Sequence, residues 1–286
     1  MTVTSMTFGE RWYRPLACAL TVLFLVCGAV LLVSFWSPNA VHVGDDLEHY
    51  LDGVERWWTT GNPYLPNEIA GRFDYERETF LHPPVSILFF APWLVLPPVL
   101  WWVIPIGITL AHVVAWRPAP WTWPLIAFGL AQPQLHHALL WGNTNLWLTA
   151  ALTLALTGGP WAALFLVKPS LGVLALVGIH RRSWWRTTAL IAAISIPFGF
   201  LWVDWAKVLL HSPADLTYGL RNLPWVLIPV IAWAGRSRDA RFRLALPQDI
   251  AVLGGVRRVS TLVAGQPALT SRVPATIDNS VRGRNA

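Results

Sequence analysis

Two kinds of residue in this chain are costly to place without a purpose: carboxylates crowded beside apolar runs, and a lone cation inside one. Nine of the fifteen acidic residues lie between Asp45 and Glu78, in a polar stretch that separates one apolar run from a second opened by His82-Pro83-Pro84. Asp46, Tyr50 and Gly53 recur at i, i+4, i+7, so one helical face sets a carboxylate beside a phenol, with the glycine leaving room for a ligand. A carboxylate there is a candidate general base, and Asp45 is its backup. The same aspartate also reads as the N-cap of a helix beginning at Leu47, a role Asp fills well. Spacing alone favours the cap.

Lys168 stands in an apolar hairpin, where a cation costs several kcal/mol unless it meets an anion or water. A phosphate is the natural anion in a lipid-facing cavity, although a lysine can also snorkel to the interface. In Phe80-Leu81-His82-Pro83-Pro84 the prolines stiffen the turn and restrict His82 to an extended backbone. The imidazole then either faces a cavity or simply precedes a helix with proline in its first turn. Gly142-Asn143-Thr144-Asn145 is a helix-starting cap by default, or a set of amides for a polyhydroxylated ligand. His136-His137 is not a metal pair, because helix neighbours point ~100° apart and cannot share an ion alone.

The elements that must position these groups are membrane helices. A hydrophobic share of 55%, a charged share of 13% and 19 Trp, with a mean hydropathy of +0.47, leave too much apolar surface for a soluble domain. The fold class expected is an all-α polytopic membrane protein, its length consumed by spans of ~20 residues. The net charge of +6 is explained by topology rather than nucleic acid, since the basic residues cluster between apolar runs and in the tail. Cys18 and Cys27 share the first run and imply no disulfide framework.

The first span is Pro15 to Phe35, preceded by Arg11 and Arg14, which sets the N-terminus in the cytoplasm and the loop 37–83 outside. Pro84 to Trp116 reads as a proline-kinked crossing, with a partial helix before it as one option and two crossings as another. Trp121 to Trp141 then runs outward and Leu146 to Leu156 inward, leaving the turn at 141–145 outside. The basic cluster His180-Arg181-Arg182 is cytoplasmic, so Trp161 to Ile179 enters and returns with Lys168-Pro169 at its tip. Thr187 to Trp202 runs outward, Asp204 to Asn222 forms a second outer loop, and Leu223 to Trp233 returns. Two regions result: a transmembrane domain over 1–235 and a basic, disordered cytoplasmic tail over 236–286.

Taken in order, several segments resemble glycosyltransferase family 87. They are Asp46-Leu47-Glu48-His49-Tyr50, then Gly61-Asn62-Pro63-Tyr64, then Phe80 to Pro84 running into the apolar stretch to Pro97, WGNTNL from Trp141, and LVKPSLGVLAL with HRRSWWR up to Arg186. His82 stands where the family usually has Tyr, Gly142-Asn143 replaces Gly-Gln, and the chain is C-terminally short of that pattern. The resemblance implies a type C glycosyltransferase-like helical bundle with an extracytoplasmic catalytic loop, in the plasma membrane of a bacterium. It implies an inverting hexosyltransferase, mannose being the expected sugar, with a polyprenyl-phosphate sugar donor, a lipid or glycan acceptor and no cofactor or divalent metal. Asp46 would be the base. Lys168, with His82 and Arg221, would hold the phosphate, and Tyr50, Tyr64, Asn143 and Asn145 would line the donor site. Trp57, Trp58 and Tyr75 are further stacking candidates. A non-catalytic membrane protein, carrier or inactive remnant, is the alternative; a carrier would show paired halves, and no such repeat is visible.

Overall fold

The computed structural model describes residues 8–35, 43–74, 78–213 and 218–237. The chain divides into two units, Met1–Phe242 and Arg243–Ala286. The second unit, with nearly all of the tail expected to be disordered, lies outside the described residues. Every named element in the first is helical, and the described residues hold no strand beyond an isolated bridge between Pro118 and Arg236. The all-α class is therefore shown.

Helix α1 (Phe8–Phe35) carries the apolar window Tyr13–Ser34, with a mean hydropathy of 2.9. Its inward stripe is Ala17, Thr21, Phe24, Gly28 and Leu31, the spacing of one helical face. Gly28 lets the backbones close, since a Cβ there would lie 3.1 Å from Ala131 Cα. The rest of α1 is exposed apolar surface, Val33 reaching 74%. Among the described residues α1 is the one helix long and apolar enough to cross a membrane, or one of two if the bent pair Arg182–Phe198 and Leu201–His211 counts as a span.

Prolines cut the other apolar runs short, as a ring without an N–H must. Helix α2 (Asp45–Thr60) and the short α3 (Pro66–Ala70) form the acidic segment. The run after Pro83 becomes a 3-10 turn, α4 (Ile87–Phe90), a second 3-10 turn and, past Pro97-Pro98, α5 (Leu100–Trp116). The expected partial helix and crossing are thus two separate pieces. The run from Trp121 likewise breaks before Pro133 into α6 (Trp123–Leu130) and α7 (Pro133–Trp141), followed by α8 (Asn145–Leu156).

Next comes a hairpin of two 3-10 arms, Trp161–Val167 and Pro169–Leu176, broken at Lys168. One arm lies along α8: Lys168 meets Thr144 before its first residue, and Arg181 Nη1 donates to the Ala155 carbonyl at 2.9 Å near its last. Helix α9 (Arg182–Ser195) stops at Ile196-Pro197-Phe198 and Gly199, and α10 (Leu201–His211) departs at 96°. The sequence expectation of a run to Trp202 and a loop from Asp204 is corrected here. Pro197 and the left-handed Gly199, at φ 43, end the run early, and residues 204–211 of the expected loop belong to α10, which packs on α3. Helices α11 (Tyr218–Arg221), α12 (Leu223–Val226) and α13 (Ile228–Ala234) close the body.

Two apolar clusters result. Trp116, Leu152, Phe165 and Trp225 centre the first. Tyr50, Phe80, Phe90 and Trp101 centre the second, and Trp102 packs against both.

Candidate functional site

Gly44 sets the start of α2. Its φ of 96 is left-handed backbone that suits glycine, and its N–H donates to the Leu140 carbonyl at 2.8 Å. The first residue of α2 is therefore held against the end of α7. The helix begins at Asp45, not Leu47, and Gly44 is its cap residue. Asp46 is one residue inside the helix and caps nothing, which corrects the reading that spacing favoured. Its Oδ2 accepts from Asn143 Nδ2 at 2.5 Å. Burial raises the Asp46 pKa above its ordinary value; the Asn143 bond, Lys168 and His49 oppose that shift in falling order, and Asp45 adds to it.

The turn from α7 to α8 carries the partner groups. Gly142 adopts φ 73, and a Cβ there would come within 3.0 Å of Trp102 and 3.3 Å of Leu47. Trp101 Nε1 donates to the Gly142 carbonyl at 2.6 Å, and Trp102 Nε1 to that of Leu139 at 2.6 Å. On this anchored turn Asn143 Oδ1 accepts from the Asn145 N–H at 3.0 Å. Asn143 thus bonds within its own turn and links that turn to other elements. The Thr144 N–H reaches the Tyr50 hydroxyl at 3.4 Å. Lys168 Nζ donates to Thr144 Oγ1 at 2.9 Å and to Asn143 Oδ1 at 3.3 Å.

An aromatic wall stands beside them. Tyr50 stacks on Phe90 at 4.6 Å and meets the His82 ring edge to face at 4.9 Å. Tyr64 donates its hydroxyl to the His82 carbonyl at 2.8 Å. Burial first, and then Lys168, push the His82 imidazole down to about 3, so it is a neutral ring rather than a second cation. Tyr64 is 2% exposed. It holds His82 in place instead of offering a free face to a sugar, and burial pushes its phenol upward.

Asp46, Tyr50, His82, Asn143 and Lys168 come together; the other candidates stand beside this group or apart from it. The space expected beside Gly53 belongs to Phe80, whose Cδ2 would lie 2.2 Å from a Cβ there, so that side of α2 has no room for a ligand. Asn145 is 1% exposed, and its Oδ1 lacks a hydrogen-bond partner among the described residues. Asp45 adjoins the site at the helix start. Arg221 is exposed on α11, two residues after Gly219, whose backbone lies against Ser170. Tyr75 lies outside the described residues, and Trp58 is 80% exposed.

Sequence reasoning passed over His49 and gave Thr144 no role of its own. His49 is buried and close enough to act on Asp46, and its i+3 spacing on the same face was the available signal. A cavity of about 550 Å³ opens elsewhere on the acidic segment, lined by residues that include Arg56, Asn62, Leu65 and Ile69. It contains neither Asp46 nor Lys168, and the chemistry of the converging groups outweighs its size. Among the described residues no group of three or more His, Cys, Asp or Glu is arranged to hold a metal ion. No family model, curated protein or solved structure matches this chain.

Proposed function

We propose that the protein is a multi-pass membrane glycosyltransferase that moves a hexose from a polyprenyl-phosphate donor to a lipid or glycan acceptor, with inversion. The observation that carries this reading is the meeting of one buried-side carboxylate and one ammonium on a single amide, beside a wall of aromatic rings. Transfer from a lipid phosphate asks for those two charges and little else. The acceptor hydroxyl attacks the anomeric carbon while Asp46 takes its proton. The bond from that carbon to the phosphate oxygen breaks, and the phosphate leaves with the electron pair, needing no acid.

Lys168 supports the phosphate end of this reading. Its ammonium lies next to the first turn of α8, where the helix dipole adds positive potential, and an anion there gains charge-assisted bonds. The exposed apolar surface of α1 and the isoprenoid chain of such a donor belong to the same solvent, which is the support for a lipid-linked rather than a nucleotide-linked sugar. The test is binding of a polyprenyl-phosphate hexose to protein in nanodiscs, with the matched polyprenol as control, followed by transfer to a lipid acceptor. Lys168→Met is expected to lose at least tenfold in affinity for the phosphate lipid and nothing for the alcohol. Equal affinity of wild type and Lys168→Met for the phosphate lipid removes Lys168 from the site.

A further inference from the structure

From the way its amide is held, we infer that Asn143 is a positioning residue that keeps the Asp46 carboxylate and the Lys168 ammonium apart as two usable charges. The inference rests on the transferase reading above, but its central measurement does not require turnover. Among the described residues no direct ion pair joins Asp46 and Lys168. Asn143 lies between them, donating through Nδ2 to Asp46 Oδ2 at 2.5 Å and accepting through Oδ1 from Lys168 Nζ at 3.3 Å.

The polarity of the amide is fixed on both sides. Oδ1 also accepts from the Asn145 N–H at 3.0 Å, so a flipped amide would set its NH2 against two donors and its oxygen against a carboxylate. Asn143 is 7% exposed, and its own N–H is bonded to the Ala138 carbonyl at 2.9 Å. The side chain therefore starts from an anchored backbone. An ammonium has three donors; Thr144 and Asn143 take two and leave one for an incoming anion. A carboxylate accepts through two oxygens, and the Asn143 bond occupies only Oδ2. A direct contact between Asp46 and Lys168 would spend both charges on each other.

Only a short amide meets these demands. Aspartate at 143 would repel Asp46 and neutralise Lys168, while leucine would offer neither bond. The charged and titratable groups acting on Asp46 are Lys168, His49 and Asp45; leucine at 143 is expected to fill the space of the amide and keep Lys168 from closing on Asp46, so a change in Asp46 protonation reports the lost hydrogen bond. Hydrogen bonding to a carboxylate favours its charged form, and removing that bond lets Asp46 hold its proton to higher pH.

The experiment follows Asp46 directly. A lipid-soluble carbodiimide labels protonated carboxyl groups, and peptide mass spectrometry reads the labelled fraction of Asp46 against pH in nanodiscs. In Asn143→Leu the labelling midpoint is expected about one pH unit above wild type, and the acid limb of kcat/KM moves with it. Asn143→Ala, which opens that space, is expected to let Lys168 close on Asp46 and move the midpoint below wild type, and it serves if the leucine variant does not accumulate. Asn143→Asp is expected to lose at least tenfold in affinity for the phosphate lipid, as Lys168→Met does. An unchanged labelling midpoint in both apolar variants, with activity lowered equally at every pH, reduces Asn143 to a structural residue and overturns the inference. A shifted midpoint in a protein that transfers no sugar upholds the inference and overturns the transferase reading.

Discussion

Asn62 donates its side-chain amide to the Asp204 carboxylate at 3.0 Å, tying the acidic segment to α10. Two more bonds run the same way: Trp205 Nε1 donates to the Leu81 carbonyl at 3.1 Å, and His211 Nδ1 lies 3.0 Å from the Glu68 carbonyl. Helix α10 is a strap across the segment that delivers His82, and it reaches that position because the chain turns sharply at Gly199.

Beneath this strap Glu68 is fully buried, with Oε2 accepting from the Leu65 N–H at 3.0 Å. Burial raises its pKa above 4.5, opposed first by the Leu65 bond and then by Arg56. A raised carboxyl pKa contributes stability that is complete below the unfolded value and is lost as pH rises through the folded one. Glu68→Gln is therefore expected to raise the melting temperature near pH 7.5 by ~2–4 °C, the shift that about 1 kcal/mol produces in a body of this size. Near pH 4 the two proteins should melt together. Thermal unfolding at both pH values checks the sign.

Replacing Asp46 by Asn should lower sugar transfer by ~10²–10⁴-fold, because an amide cannot take the hydroxyl proton. Asp45→Asn should keep measurable activity. Initial rates with a polyprenyl-phosphate hexose compare the two, and full turnover by Asp46→Asn would end its assignment as the base.

Gly53→Ala tests the packing that replaced the expected ligand space. The added methyl must displace the ring of Phe80, whose neighbours Tyr64 and Phe90 lie within 5.9 and 6.2 Å between centroids. Overpacking of this kind costs about 1–3 kcal/mol. Denaturation in detergent should show that loss, and relief by a companion Phe80→Leu change.

Orientation is checked by single cysteines in a background lacking Cys18 and Cys27. Asn67 and Ser237 are both exposed, and the topology expected from the basic clusters would set them on opposite sides of a membrane. An impermeant thiol reagent applied to intact cells should modify position 67 and spare position 237. Labelling at 237 alone would invert the scheme.

Residues of a costly type stood out in the sequence. Asp46, Asn143 and Lys168 each stood out from composition or setting, and the structure brings all three to one turn. Local spacing misled twice. The cap reading of Asp46 failed because the left-handed Gly44 moves the helix start back to Asp45, and the opening beside Gly53 vanished because Phe80, distant in sequence, fills it. Neither event has a periodic signature. The continuous apolar run through Ile196 likewise hid the break into α10, although Pro197 and Gly199 marked it.

The last described residues act as a keystone. The Ala119 N–H donates to the Gly235 carbonyl at 2.8 Å, and the Ser237 N–H to that of Trp116 at 3.2 Å, while Trp225, Val226 and Ile228 fill the cluster shared with α8 and the hairpin. A ribosome releases this segment only after every other element of the body has been made. Until then the hairpin that presents Lys168 has an unfilled apolar cleft at its back. A nascent chain arrested before Ser237 should therefore remain open to chaperones and proteases, and Asp46, Asn143 and Lys168 should reach their folded arrangement only when the final turn is seated.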